Sequence, residues 1–157
     1  MLDYNDDGFL DILYTAGDNG DYTPIAKPYH GIRIFLNNTK NHFKEELFIP
    51  VYGAYKAIAE DFDRDGDLDF SVISFFPNTK NEYFVFLENQ GDGRFSRKLL
   101  HEKGLGQWLT MDSFDFDTDG DKDLILGSYN WGQNSNNRGY IVPLVYLKNT
   151  SLYKKDP

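Results

Sequence analysis

Residues 61–69 read Asp61-Phe62-Asp63-Arg64-Asp65-Gly66-Asp67-Leu68-Asp69, with carboxylates at positions 1, 3, 5 and 9 and glycine at position 6. Four carboxylates so close together repel one another, and a hard divalent cation with oxygen ligands is the natural occupant of such a loop. Alternate side chains converge, Gly66 permits the sharp turn, and Asp67 at position 7 offers its backbone carbonyl with its side chain turned away. The same pattern stands at 115–123, with Asp115, Asp117, Asp119 and Asp123 as side-chain ligands and Asp121 as the carbonyl. It stands again at 3–11 with Asp3, Asn5, Asp7 and Asp11, and Phe9 as the carbonyl. A solvated acidic turn is the ordinary alternative, but repetition in phase weighs against it.

An EF-hand would carry a bidentate Glu at loop position 12, where this chain has Tyr14, Val72 and Leu126. The aspartate at position 9 must therefore close the shell, and an apolar strand follows it. Calcium is preferred over magnesium because a carboxylate-dominated nine-residue cage is flexible and needs little retained water. Up to three Ca2+ are expected, with the second and third loops tighter than the first, where Asn5 lowers the charge.

The elements that position these loops are short strands. Residues 11–16 leave the first loop, 31–37 and 42–49 follow, and 17–29 form a long irregular insertion holding Pro24 and Pro28. In the second repeat 55–61 enter the loop, 69–76 leave it, and 82–89 and 95–101 complete the unit. Residues 107–115, 123–128 and 140–149 repeat the plan, the last interrupted by Pro143, with a second insertion at 129–139. Loop starts at 3, 61 and 115 give spacings of 58 and 54 residues, and the tripeptides ending at Asn37, Asn89 and Asn149 recur in step. Four short strands per period of this size indicate propeller blades. The expected fold is all-β: a partial β-propeller of about three four-stranded blades, the first and last incomplete, with the Ca2+ loops between inner and second strands. Blade a spans 1–50 without its inner strand, blade b 51–101 complete, and blade c 102–157 without its outer strand. A chain that starts on a ligand position reads as a fragment or an unusually short protein.

The loop entering an aliphatic strand, recurring at blade spacing, resembles the FG-GAP or VCBS-type repeat of integrin α-chain propellers and of many bacterial secreted proteins. The Phe-Gly dipeptide of that family is echoed by Tyr52-Gly53, and no Gly-Ala-Pro follows the second strand. The resemblance implies adhesion or recognition of a protein or carbohydrate ligand, no catalytic residue in the repeats, and a secreted, periplasmic or cell-surface location. Weak calcium sites, of order 10⁻⁴ to 10⁻³ M, fill only where calcium is abundant. The alternative is the propeller portion of a secreted polysaccharide-active enzyme whose catalytic groups lie outside this chain.

Composition narrows the partners. The net charge of −9 is largely the loop aspartates, and three bound Ca2+ would reduce it to −3. The 16 Lys and Arg are scattered, so no basic patch favours nucleic acid. No stretch approaches the ~20 apolar residues of a membrane span, and without cysteine there is neither a disulfide scaffold nor thiol catalysis. His30, His42 and His101 share no ligand spacing and read as loop or surface residues, whereas Trp108 reads as core. Tyr22, Tyr29 and His30 in one insertion, and Tyr129, Trp131, Gln133, Asn134 and Arg138 in the other, mix rings with hydrogen-bonding groups. Such a mixture suits a sugar or peptide platform, although loops packed on a blade edge explain it more simply. The remaining blades of a parent propeller, or self-association, would cover the unpartnered ends.

Overall fold

The computed structural model describes residues 1–17, 19, 27–40, 42–77, 82–100, 107–128 and 142–151. Among these there is strand and turn but no α-helix. The strands are β1 (Ile12–Ala16), β2 (Gly31–Asn37), β3 (Phe43–Pro50), β4 (Ala54–Glu60), β5 (Asp69–Ser74), β6 (Phe84–Asn89), β7 (Phe95–Leu99), β8 (Trp108–Phe114), β9 (Asp123–Ser128) and β10 (Leu144–Leu147). They form three antiparallel sheets ordered β1-β2-β3, β4-β5-β6-β7 and β10-β9-β8. This all-β arrangement is consistent with a partial β-propeller.

Each sheet meets its acidic loop at the same place. Asp69 pairs with Glu60 and Asp123 with Phe114, so position 9 opens the strand after the loop, opposite the last residue of the strand before it. In the first sheet that preceding strand is reduced to a single bridge, Leu2 against Asp11. The third strand of the last repeat, expected over 140–149, is β10 among the described residues 142–149. It starts just after Pro143, whose nitrogen has no hydrogen to donate to a ladder, although its carbonyl accepts from Ser128 N at 2.9 Å.

Every residue of β5 is buried, because the central sheet is covered on both faces. Phe70 and Val72 join Val85 and Leu87 against Ile32, Ile34 and Ile49 of the first sheet. Ile73 and Phe84 turn the other way, to Trp108, Met111, Leu124 and Leu126 of the third. The strand period of two thus distributes one strand between two cores. Trp108 is core, as its sequence context suggests, at 1% exposure. Polar ties join the sheets where β4 packs against β1 and β8: Thr15 Oγ1 donates to Tyr55 O at 3.1 Å, and Ser113 Oγ to Glu60 Oε1 at 3.1 Å.

His30 departs from the sequence reading. It is 2% exposed, accepts the Gly53 N–H through Nδ1 at 3.2 Å and lies between the rings of Tyr29 and Tyr52. Its ring satisfies a buried N–H at the turn between the first two sheets, which an exposed side chain could not do.

The outer sheets leave apolar surface uncovered. Phe114 is 60% exposed and Leu144 54%, with Phe116 and Tyr146 beside them. Among the described residues β1 and β10 each have one edge without a strand partner. Open edges beside exposed rings favour association, so the isolated chain is expected to self-associate or to unfold with poor cooperativity. Light scattering behind a sizing column with calcium present checks this, and a monodisperse 18.2 kDa species that melts sharply would contradict it.

Candidate metal centres

The three loops adopt one backbone shape. Position 4 is left-handed in each, with φ of 56° at Asp6, 62° at Arg64 and 64° at Thr118, and so is the position-6 glycine, at 86°, 98° and 92°. A left-handed β-branched residue such as Thr118 is strained, so the shape is imposed by what surrounds it. Part of that is the glycine N–H, which donates to the position-1 carboxylate: Gly8 to Asp3 at 2.8 Å, Gly66 to Asp61 at 3.1 Å and Gly120 to Asp115 at 3.0 Å.

The stronger constraint comes from position 9. Asp11 Oδ2 accepts from Tyr4 N at 2.8 Å and Oδ1 from Asn37 N at 2.8 Å. Asp69 takes Phe62 N at 3.2 Å and Asn89 N at 2.8 Å. Asp123 takes Phe116 N at 3.2 Å and Asn149 N at 2.8 Å. Each asparagine also returns its side-chain amide to the position-8 carbonyl: Asn37 to Leu10 at 3.2 Å, Asn89 to Leu68 at 3.3 Å and Asn149 to Lys122 at 3.2 Å. Each of the two position-9 oxygens thus holds a backbone N–H, one from the loop and one from the asparagine that ends β2 or β6 or lies two residues beyond β10, and Asp123 in addition has an oxygen within the candidate metal cluster of its loop. The asparagines are functional residues that sequence reasoning noted as a repeat without assigning them a task.

Carboxylates of the second and third loops also face one another, the position-9 Asp123 among them. Ligand oxygens of Asp61, Asp63 and Asp65 lie within 4.8 Å of each other, as do those of Asp115, Asp117 and Asp123. Asp61 Oδ1 and Asp115 Oδ1 are buried without a hydrogen-bond partner, the state of an oxygen awaiting a cation. In the first loop both Asp3 oxygens accept backbone N–H groups, from Asp7 and Gly8, and the Asn5 amide donates to Asp7 at 3.0 Å. Asp3, Asp7 and Asp11 form no comparable cluster among the described residues. The second and third loops therefore fit a divalent ion better than the first.

At position 7, Phe9 and Asp67 turn outward, but Asp121 corrects the expectation of an outward side chain: it is 2% exposed and sits beside Asp119. Burial first, then sharing with and repulsion by Asp119, pushes Asp121 up to about 6. Burial also pushes Asp69 up to about 6, against the Asn89 N–H that favours its charge. Asp63 is raised by burial, by Asp65 and, further down, by Glu88. Asp119 is held low by the Asp121 N–H, assisted by the Lys148 ammonium.

Among the other residues singled out from sequence, His42 is exposed. His101, Tyr22, Tyr129, Trp131, Gln133, Asn134 and Arg138 lie outside the described residues.

Two outcomes follow from this geometry. In metal-free protein, Asp69→Ala leaves the Phe62 and Asn89 N–H groups without their acceptor and should cost about 2 kcal/mol or more. Asp63→Ala should cost little or stabilise, since it relieves repulsion; equal losses in denaturant melts would show that the two carboxylates do the same job. Because the folded-state values of Asp69 and Asp121 lie above the unfolded 3.8, the chain holds extra protons between about 4 and 6. Their stabilising contribution is present at low pH and lost as pH rises through about 6. The metal-free melting temperature should thus fall from pH 5 to pH 7 and calcium should flatten that fall, which parallel melts would read.

Compared with known proteins, the chain matches the family model described as FG-GAP-like repeat over residues 3–72 and again over 61–126. No match was found among curated proteins or among solved structures.

Proposed function

The chain belongs to the FG-GAP-like repeat family, and from that premise we propose that it is a calcium-stabilised β-propeller module that binds a protein or glycan ligand outside the cell. Repeats of this family are generally structural or binding modules rather than catalysts. The observation that carries the calcium reading is the buried, unpartnered carboxylate oxygen at position 1 of the second and third loops, Asp61 Oδ1 and Asp115 Oδ1, each facing further carboxylates. Asp61, Asp63 and Asp65, with the Asp67 carbonyl, would hold an ion in the second loop. Asp115, Asp117, Asp119 and Asp123, with the Asp121 carbonyl, would do so in the third. Asp3, Asn5, Asp7 and the Phe9 carbonyl would form a weaker first site, and Asp11 and Asp69 would brace theirs.

In this reading residues 1–50, 51–101 and 102–157 are successive blades and the ions stiffen the turns between inner and second strands. A bound cation removes the repulsion that otherwise opposes folding and supplies no chemistry to a substrate. Sites of modest affinity, of order 10⁻⁴ to 10⁻³ M, suit a calcium-rich exterior. Among the described residues no helix is long and apolar enough to cross a membrane.

Saturating calcium should raise the melting midpoint of metal-free protein by the linkage relation RT ln(1 + [L]/Kd). Asp63→Ala should remove more of that increment than Asn5→Ala. A midpoint indifferent to calcium would refute the metal reading, and equal losses from the two variants would refute the ranking of the loops.

A further inference from the structure

The three loops share one frame and differ in the residue just before the tethering asparagine: Leu36, Glu88 and Lys148. In the third loop the Lys148 ammonium contacts Asp117 Oδ2 and lies 3.1 Å from Asp119 Oδ2. Beside it the Tyr146 hydroxyl donates to Asp123 Oδ2 at 2.8 Å. The equivalent positions of the second loop carry Glu88 and Phe86, neither of which brings a donor to Asp61, Asp63 or Asp65. Glu88 instead adds negative charge near Asp63. Glu88 is itself paired with Lys98, so among the described residues the third loop has a chain cation on its own carboxylates, whereas the cation beside the second sits on Glu88 and not on the loop.

The geometry points to Lys148 as an internal counter-cation that competes with the metal for Asp117 and Asp119, so that the second loop fills first and the third fills only as the ammonium is displaced. This rests on the calcium reading above and separates two loops that their aspartates alone would rank together. The charge argument is direct: a divalent ion placed among Asp115, Asp117 and Asp123 must either displace a unit positive charge from two of the loop's carboxylates or sit beside it, and at such range the penalty is large. The displaced side chain has somewhere to go. Lys148 lines a cleft of about 300 Å³ between the second and third sheets, with Phe62, Phe84 and Leu124 in its lining; Asp63, Lys122 and the Glu88–Lys98 pair also line it, so Asp63 is the carboxylate there that a displaced ammonium could take. A lysine stem buries its methylenes against such a floor while its ammonium reaches a carboxylate.

The glycine amides report each loop separately, because Gly8, Gly66 and Gly120 all donate to the position-1 aspartate of their own loop. Calcium titration of the full chain, followed by the amide resonances of these three glycines, should move Gly66 at lower calcium than Gly120. Lys148→Met should shift the Gly120 midpoint about tenfold or more toward tighter binding and leave Gly8 and Gly66 where they were, whereas Lys148→Arg, which keeps the charge, should stay weak. Should Lys148→Met fold poorly, Glu88→Lys makes the reciprocal test by weakening the second loop at Gly66. A Gly120 midpoint unmoved by Lys148→Met, or a Gly66 midpoint unmoved by Glu88→Lys, would overturn the inference while calcium binding by the wild type left the metal reading intact. No calcium response at any glycine, in wild type and Lys148→Met alike, would overturn both. A Gly120 response appearing only in Lys148→Met would support the competition.

Discussion

The structure depends on a buried carboxylate held between two backbone N–H groups. Asp11, Asp69 and Asp123 are each at most 1% exposed, and each clamps the second residue of its loop to an asparagine that ends β2 or β6 or lies two residues beyond β10. Hydrogen bonds to a charged acceptor contribute about 1.5–3 kcal/mol each, and an orphaned buried N–H would cost a comparable amount. The clamp therefore fixes where the loop sits relative to the sheet before any ion arrives. It also lets strained left-handed residues such as Thr118 persist, because the ends of the loop are held from outside it.

Once the clamp is set, carboxylate oxygens gather at positions 1, 3 and 5 of the second loop and at 1, 3 and 9 of the third, and the three loops handle their charge differently. The first dilutes the charge with Asn5, whose amide donates to Asp7. Among the described residues the second offers its carboxylates only backbone N–H groups, from Asp65, Gly66 and Asp67, and brings no side-chain cation onto them; the nearby Glu88 is paired with Lys98. The third brings in Lys148 and the Tyr146 hydroxyl. The Asn149 amide reaches across as well, to Phe62 O at 2.7 Å, so the second loop is tied to the third sheet. What happens to charge at one loop is thereby connected mechanically to the packing between sheets.

Much of this was legible in the sequence. The in-phase aspartates placed the loops, the apolar runs after them placed β5 and β9, and Trp108 read correctly as core. Carboxylate spacing shows that oxygens gather but not which of them also hold the backbone, so the N–H groups that both position-9 oxygens accept were not legible. The tripeptides ending at Asn37, Asn89 and Asn149 were visible as a repeat. Their role was not, because their aspartate partners lie 20 to 26 residues away and only strand register brings them together. His30 and Asp121 were misplaced for a related reason: burial of a polar group follows from a distant partner or neighbour, the Gly53 N–H in one case and Asp119 in the other.

That separation explains how one frame accommodates three loops. Every contact that sets the frame uses either main-chain atoms or a residue common to all three copies: the position-1 and position-9 aspartates, the position-6 glycine and the strand-ending asparagine. Position 3 and the residue before the asparagine contribute nothing to the clamp. Substitution there alters the charge within the loop without touching the clamp, so that charge can differ between copies while the sheets and their two cores stay the same. The two properties are carried by different atoms of the same nine residues, and the fold tolerates one loop that has exchanged a carboxylate for an amide beside another that has recruited an ammonium.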